Sequence, residues 1–446
     1  MSPGSTLYFN GIDGERGGYA RAPRTPKELA PFLAGFESPA VPKRVALGID
    51  PDDLAQVGWG VVWPEGRSGE RRRVLAPLLE RRRGQAGKRF HEFEARDGES
   101  PLEFLERYGA GPGPVEPDIV PYHLLLAATP GEIPFAFQSE LGISHAVGRL
   151  GFERPDEAAE HVRRLVAFEQ GPAASPRQAA FFGVEHRDDP LTWWSAEHLV
   201  AGLEARVARA HRHWNVSTFL RRAADKPTLR RLLGGGPVPA LLFTAGHGLS
   251  YGKASSRQAT HQGALLCAEY PGPKAWSGAI PDHQLFAAHD LDADADLTGL
   301  VMCSFACYSA GTPRLDTYAG CEPVELADRP FVAPLARELL RRGALGVIGH
   351  VDLTFEQSFL WYSAGPQLAA FDSLLAAVLA GHALGGAMDF LAARYAQLAA
   401  RVAAAVRQAQ RLDAPVDVLR QLHTWAAYQD ARNFVLLGDP AARLKV

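Results

Sequence analysis

Two residues set the chemical question. His247 lies near the end of the apolar run "LLFTAGHG" (241–248), and Cys307 closes "GLVMCSFAC" (299–307). A thiol attacks an acyl carbon as thiolate, so it needs a base or a positive charge beside it. Imidazole is the usual partner because its pKa lies near neutrality. The tetrahedral intermediate then needs backbone N–H donors that come close to its oxygen. Gly246 and Gly248 flank the histidine, and Ala306, Ser309, Ala310 and Gly311 surround the cysteine. Both turns are therefore built from small residues, and the amides of Gly248 and Cys307 are the expected donors. A lone buried cysteine ordinarily packs a core, and a lone histidine at a strand end ordinarily makes one hydrogen bond. The pair, at the ends of successive strands of one sheet, points to nucleophilic acyl transfer instead. Cys303, four residues earlier and inside the strand, is expected to be inert.

The elements that must position the pair have a regular rhythm. Strands are expected over 44–50, 58–64, 122–129, 179–186, 239–248, 297–311 and 344–352. Helices are expected over 153–171 with Asp156 as cap, 195–211 with Ser195 as cap, 228–236 and 330–343. Strands that alternate with helices predict an α/β chain with a mostly parallel sheet and helices on both faces. Ligands in such sheets bind outside the carboxyl ends of the strands. The Pro/Ser/Gly-rich break "GPAASPRQ" at 171–178 divides the chain into a smaller N-terminal α/β domain, 1–175, and a catalytic domain, 176–446. The first domain is read as regulatory or non-catalytic.

Composition removes several classes. The 446 residues carry a formal charge of −3, with 46% hydrophobic and 22% charged residues. That is ordinary for a globular protein and gives no electrostatic footprint for nucleic acid. The basic run at 69–90, "GERRRVLAPLLERRRGQAGKRF", reads as a solvated helix face. The most apolar stretch, 366–405, is interrupted by Asp372, His382, Asp389 and Arg394, so it reads as core helices and not as a membrane span. The opening "MSPGSTLYFNGIDG" lacks the basic lead and apolar stretch of a signal peptide, which makes the cytoplasm the expected location. Cys267, Cys303, Cys307 and Cys321 have no C-x-x-C spacing and are expected as free thiols.

The sequence has no G-x-x-x-x-G-K-[ST], H-E-x-x-H or G-x-S-x-G motif. "LDADADL" at 291–297 lacks the glycine and closing glutamate of a calcium loop. His247, His261, His283, His289 and Cys307 have no metal-ligand spacing, so neither metal nor cofactor is expected. The long insertion 262–299, between the two strands of the pair, reads as an exposed loop and a candidate for self-cleavage.

"FTAGHG" followed by "GLVMCSFACYSAGTP" resembles the caspase-like clan of cysteine peptidases, and within it the bacterial CHAT-type and gingipain-type enzymes. "LARELLRRGALGVIGHVD" and "NFVLLGDPAARLKV" look like the helix–strand unit and closing strand of those proteins. "YHLLLAATPGEIPF" is similar to part of the non-catalytic first subdomain of gingipain-type enzymes. The resemblance covers about 178–446 and is weak before that. It implies a three-layer caspase-like sandwich and a Cys–His dyad. His247 would be the general base or acid, Cys307 the nucleophile, and Gly248 a source of an oxyanion-hole amide. The implied reaction is peptide-bond hydrolysis through an acyl-enzyme on a protein or peptide substrate, without cofactor. The implied setting is bacterial defence or programmed cell death, under the control of an activating partner protein.

One position departs from the pattern. Where many relatives have an acidic residue two before the nucleophile, this chain has Phe305. A basic P1 preference is therefore not implied, and Glu185, Asp188, Asp189 and Asp352 become the candidates for lining the substrate pocket. The competing reading is a binding or scaffold module on the same fold, with the dyad catalytically silent.

Overall fold

The computed structural model describes residues 10–22, 24–25, 45–46, 48–172, 174–316, 324–361, 363–411 and 418–446. Cys321 lies outside them. One sheet of ten strands runs through the molecule. In chain order the strands are β1 (Trp59–Pro64), β2 (Phe90–Ala95), β3 (His123–Leu126), β4 (Ala146–Arg149) and β5 (Gln178–Gly183). The rest are β6 (Asn215–Leu220), β7 (Leu241–Ala245), β8 (Val301–Phe305), β9 (Gly346–His350) and β10 (Phe434–Gly438).

Their spatial order is β2-β1-β3-β4-β10-β9-β8-β7-β5-β6. Every neighbouring pair is parallel except β9 with β10. Two parallel half-sheets thus meet back to back at one antiparallel seam. The sheet passes unbroken across the Pro/Ser/Gly-rich stretch, and β10 runs in the direction of the first half.

Strands of this kind are apolar because both faces are covered. In β3, Leu125 belongs to one buried cluster, while Leu124 and Leu126 belong to another. Helix Gly69–Ala86 and helix Pro155–Gln170 supply Leu75, Leu78, Val162 and Leu165 to the first cluster. Helix Pro101–Arg107 and helix Phe135–Leu141 supply Phe104, Phe137 and Leu141 to the second. The mostly parallel sheet with helices on both faces is the architecture expected from the sequence.

Local departures have local causes. No strand forms over the described part of 44–50, where Gly48 has a φ of 86° and turns the chain. The helix expected from Ser195 begins earlier, at Pro190, because the Asp189 carboxylate accepts from the Leu191 amide and Pro190 takes the first position. Helix 155–170 has Arg154 at its N-cap, and Asp156 sits in the first turn. The strand expected over 297–311 is limited to Val301–Phe305. The insertion 262–299 is not a simple exposed loop. Leu265–Leu266 pairs antiparallel with Leu285–Phe286, and Tyr270 and Ile280 are buried with them. The exposure that made it a self-cleavage candidate is confined to stretches outside this hairpin, such as Lys274, Ala275 and 277–279.

The basic run forms helix Gly69–Ala86, but Arg82 is not solvated. Its Nε donates to Asp439 Oδ2 (2.7 Å), and its terminal nitrogens reach Glu169. Trp59 Nε1 donates to the other Asp439 oxygen (2.9 Å). Burial opposes the Arg82 charge, yet the two carboxylates hold its pKa above the ordinary value. Removing Asp439 leaves a buried cation short of a partner. Asp439→Ala is expected to cost about 3 kcal/mol of unfolding free energy, read as a lowered midpoint in urea with an unchanged slope. Among the described residues, no helix is long and apolar enough to cross a membrane.

Candidate active site

The parallel register of β7 and β8 builds the site. Leu241 pairs with Val301, and the ladder continues in step to Ala245 with Phe305. Thr244 Oγ1 donates to Ser304 Oγ (3.0 Å) just inside the edge. His247 and Cys307 each follow two residues beyond the last pair, so both turns leave the sheet together. The glycines serve this close packing. A Cβ on Gly246 would sit 2.4 Å from Val184 Cγ2, and one on Gly248 would sit 1.8 Å from the Cys307 carbonyl oxygen. The histidine turn thus rests directly on the backbone of the cysteine turn. Tyr308, next after the sulfur, has a φ of 57°. A non-glycine residue held there is costly and recurs where a tight turn presents a functional group.

His247 is fully buried. Its Nε2 lies 2.5 Å from Asp189 Oδ2. Asp189 Oδ1 accepts from the Tyr19 hydroxyl (2.7 Å) and from the Leu191 amide (3.2 Å). Burial works against ionisation of Asp189. The charge and hydrogen bond of His247, with the Tyr19 bond, nevertheless hold the carboxyl below the usual carboxylate range. An ionised Asp189 accepts only, so in the neutral imidazole Nε2 would carry the proton and Nδ1 would be left as the acceptor. Nδ1 is buried and has no hydrogen-bond partner among the described residues. His186 stacks on the ring at 6.0 Å, and burial, then the His247 charge, push its pKa down to about 4.

Cys307 is fully buried as well. Its Sγ receives the Thr354 amide at 3.2 Å and lies 3.4 Å from Thr354 Oγ1. The Asn10 carbonyl oxygen abuts the sulfur. Burial pushes the thiol up to about 12 against the lowering effect of Thr354. The loop that carries Thr354 is pinned by Asp430, which accepts from the Phe355 amide (2.9 Å) and the Ser358 hydroxyl and lies 3.2 Å from His350 Nε2. The Cys303 thiol points into the main core, as its position in the strand predicts.

The pocket candidates separate. Glu185 pairs with Arg221 (2.7 Å), and Asp188 is partly buried near Gly272. Asp189 is engaged with His247, and Asp352 lies behind the sulfur. There, burial pushes its carboxyl up to about 6 although the Leu353 amide donates to it. Phe305 packs into the core against His350 (5.3 Å) and Phe359 (5.4 Å). Sequence reasoning missed Thr354, Tyr19, His186 and Asn10 as neighbours of the pair. The one available signal was "DDPLTWW", whose Asp-Pro marks a helix start and hence a carboxylate fixed in place.

Among the described residues, two groups have ligand atoms close enough for a metal ion: His186 with Asp189 and His247, and His261 with Asp282 and His289. In the first, Asp189 and His247 Nε2 already bind each other. In the second, Arg257 also pairs with Asp282. Cys307 and His283 join neither group.

No family model and no curated protein matches the chain. Solved structures do. One described as "Structure of Protease" is 12% identical, with a TM-score of 0.50 over 88% of this chain and 80% of that one. The complex of Porphyromonas gingivalis RgpB pro- and mature domains is 11% identical, with a TM-score of 0.46 over 87% of this chain and 80% of that one. The Saccharomyces cerevisiae separase–securin complex is 10% identical, with a TM-score of 0.35 over 72% of this chain and 16% of that one. With its mostly parallel sheet and helices on both faces, the chain shares a mixed α/β fold with the first of these, the protease structure.

Proposed function

We propose that the chain is a cysteine endopeptidase in which Cys307 is the nucleophile and His247 the general base. The observation that carries this reading is the β7–β8 register, which brings the histidine and cysteine turns out of the sheet in step, with Gly248 against the Cys307 backbone. Asp189 is a positioning residue that keeps the proton on Nε2. His247 Nδ1 takes the thiol proton as sulfur attacks the carbonyl carbon. The amides of Gly248 and Cys307 receive the oxyanion; no backbone acceptor is recorded for either among the described residues. Nδ1 then returns the proton to the leaving amine, and water resolves the thioester. A site buried at rest fits a controlled effector, as in defence or programmed death.

The test is labelling by peptidyl acyloxymethyl ketones, substrate mimics that irreversibly alkylate the thiol with loss of a carboxylate, in wild type, Cys307→Ala and His247→Ala. Mass mapping should place the label on Cys307 in wild type. Labelling should be lost in the cysteine variant and fall about 10²- to 10⁴-fold in the histidine variant. Equal labelling of all three proteins would exclude the dyad. Failure of folded wild type to label with any P1 residue would favour the silent scaffold.

A further inference from the structure

The segment 10–21 lies across the site as a peptide. Ile12–Asp13 adds as a parallel strand to Leu249–Ser250, the residues that follow Gly248. Strand addition of this kind is how extended peptides are commonly bound. Ile12 is buried among Leu249, Tyr251, Leu266 and Ile280. The chain then turns back, so that Ile12 faces Tyr19 and the Asp13 amide donates to Gly18 (2.9 Å). Tyr19 reaches Asp189, Tyr270 donates to the Gly17 carbonyl (2.6 Å), and Arg21 pairs with Asp316.

The peptide unit between Asn10 and Gly11 meets the nucleophile. The Asn10 carbonyl oxygen is against Sγ, and a Cβ on Gly11 would stand 3.3 Å from Sγ and 3.1 Å from Leu353 Cδ2. The Asn10 side chain is buried, and its Nδ2 donates to Thr354 Oγ1 at 2.8 Å. Its backbone amide donates to the Thr354 carbonyl (3.3 Å). Thr354 therefore holds the asparagine by main chain and side chain while its own amide faces the sulfur. A pocket that hydrogen-bonds a substrate amide rejects side chains that cannot return the bond.

We propose that Asn10–Gly11 is a self-cleavage site, and that Thr354 selects substrates with asparagine at P1 and a small residue at P1′. The inference rests on the peptidase reading above. The Asn10 peptide plane turns so that its oxygen leaves the sulfur for the amides of Gly248 and Cys307. Cys307 Sγ passes its proton to His247 and forms a bond to the Asn10 carbonyl carbon. The C–N bond to Gly11 breaks, and the Gly11 amine takes the proton from His247. Water then hydrolyses the thioester, leaving a carboxylate on Asn10 and restoring the thiol. Until that happens, the segment blocks the site it is made to fit.

The experiment follows full-length wild type, Cys307→Ala and Asn10→Ala by intact-mass spectrometry during incubation in reducing buffer at neutral pH. Wild type should lose the mass of residues 1–10 and gain Gly11 as its first residue. The cysteine variant should stay whole, which also accounts for non-enzymic breakage of an Asn–Gly bond. Asn10→Ala should be cut at least about tenfold more slowly. In parallel, acyloxymethyl ketones with Asn at P1 should label Cys307 at least about tenfold faster than those with Lys, Arg or Leu. Labelling of Cys307 without an Asn preference, in a wild-type chain that stays whole or is cut elsewhere, would overturn this proposal and leave the peptidase reading standing. Equal cutting in Cys307→Ala would overturn it too. No cut and no labelling by any probe would overturn both.

Discussion

Asp189→Asn is expected to slow labelling of Cys307 by about 10³- to 10⁴-fold, with little loss of stability. In the wild type, Asp189 Oδ1 accepts from Tyr19 and from the Leu191 amide, and Oδ2 faces His247 Nε2. An asparagine must keep its oxygen toward those two donors, which turns its NH₂ toward Nε2. Nε2 then becomes the acceptor, and the imidazole proton moves to Nδ1. In the proposed mechanism that is the nitrogen that receives the thiol proton, so the base would be disabled without being removed. The helix cap survives, because asparagine caps as well as aspartate. Second-order labelling rates and urea unfolding, measured on the same preparations, separate the two effects. A rate within tenfold of wild type would show that the carboxylate does not set the tautomer.

Gly248→Ala is expected to cost about 1–3 kcal/mol of stability and at least about 10²-fold in labelling rate. The added methyl would stand 1.8 Å from the Cys307 carbonyl oxygen, 2.8 Å from its carbonyl carbon and 3.1 Å from its amide nitrogen. Backbone cannot swing aside as a side chain can, so the two turns must part. That displaces the sulfur, the imidazole and the proposed oxyanion amide relative to one another. Gly252→Ala is the matched control, since a Cβ there meets nothing within 4 Å. Wild-type rates in Gly248→Ala would mean that the turns do not act as one unit.

The sheet, and the placing of the His247 and Cys307 turns beyond neighbouring strands, were legible because they follow from local pattern. Apolar runs such as "HLLL" and "LLFTA" are buried on both faces, and the equal offsets after Ala245 and Phe305 are preserved by a parallel ladder. What surrounds the pair was not legible, because it comes from distant sequence. Thr354 is 47 residues from Cys307, and Asn10 is 297. Neither has a spacing that marks it. Asp189 was singled out as a carboxylate near the site, but its partner is fixed by where its helix starts. The insertion 262–299 is exposed over stretches such as 277–279, as Gly, Pro and charge suggest, but those signals do not reveal the buried hairpin of Leu265–Leu266 with Leu285–Phe286.

The seam between the half-sheets has a consequence for how the molecule is made. β10 is translated after the nine other strands, yet it sits at the centre of the sheet, between β4 and β9. Until residues 434–438 emerge, a nascent chain carries two half-sheets, each with an unpaired edge facing a gap. Open edges of that kind recruit other strands and invite aggregation. β7 and β8 pair without help from β10, so the histidine and cysteine turns can meet while the molecule is still incomplete. Closure of the seam is then the late, long-range step that folding must wait for, and β10 completes the sheet after the histidine and cysteine turns can already have met.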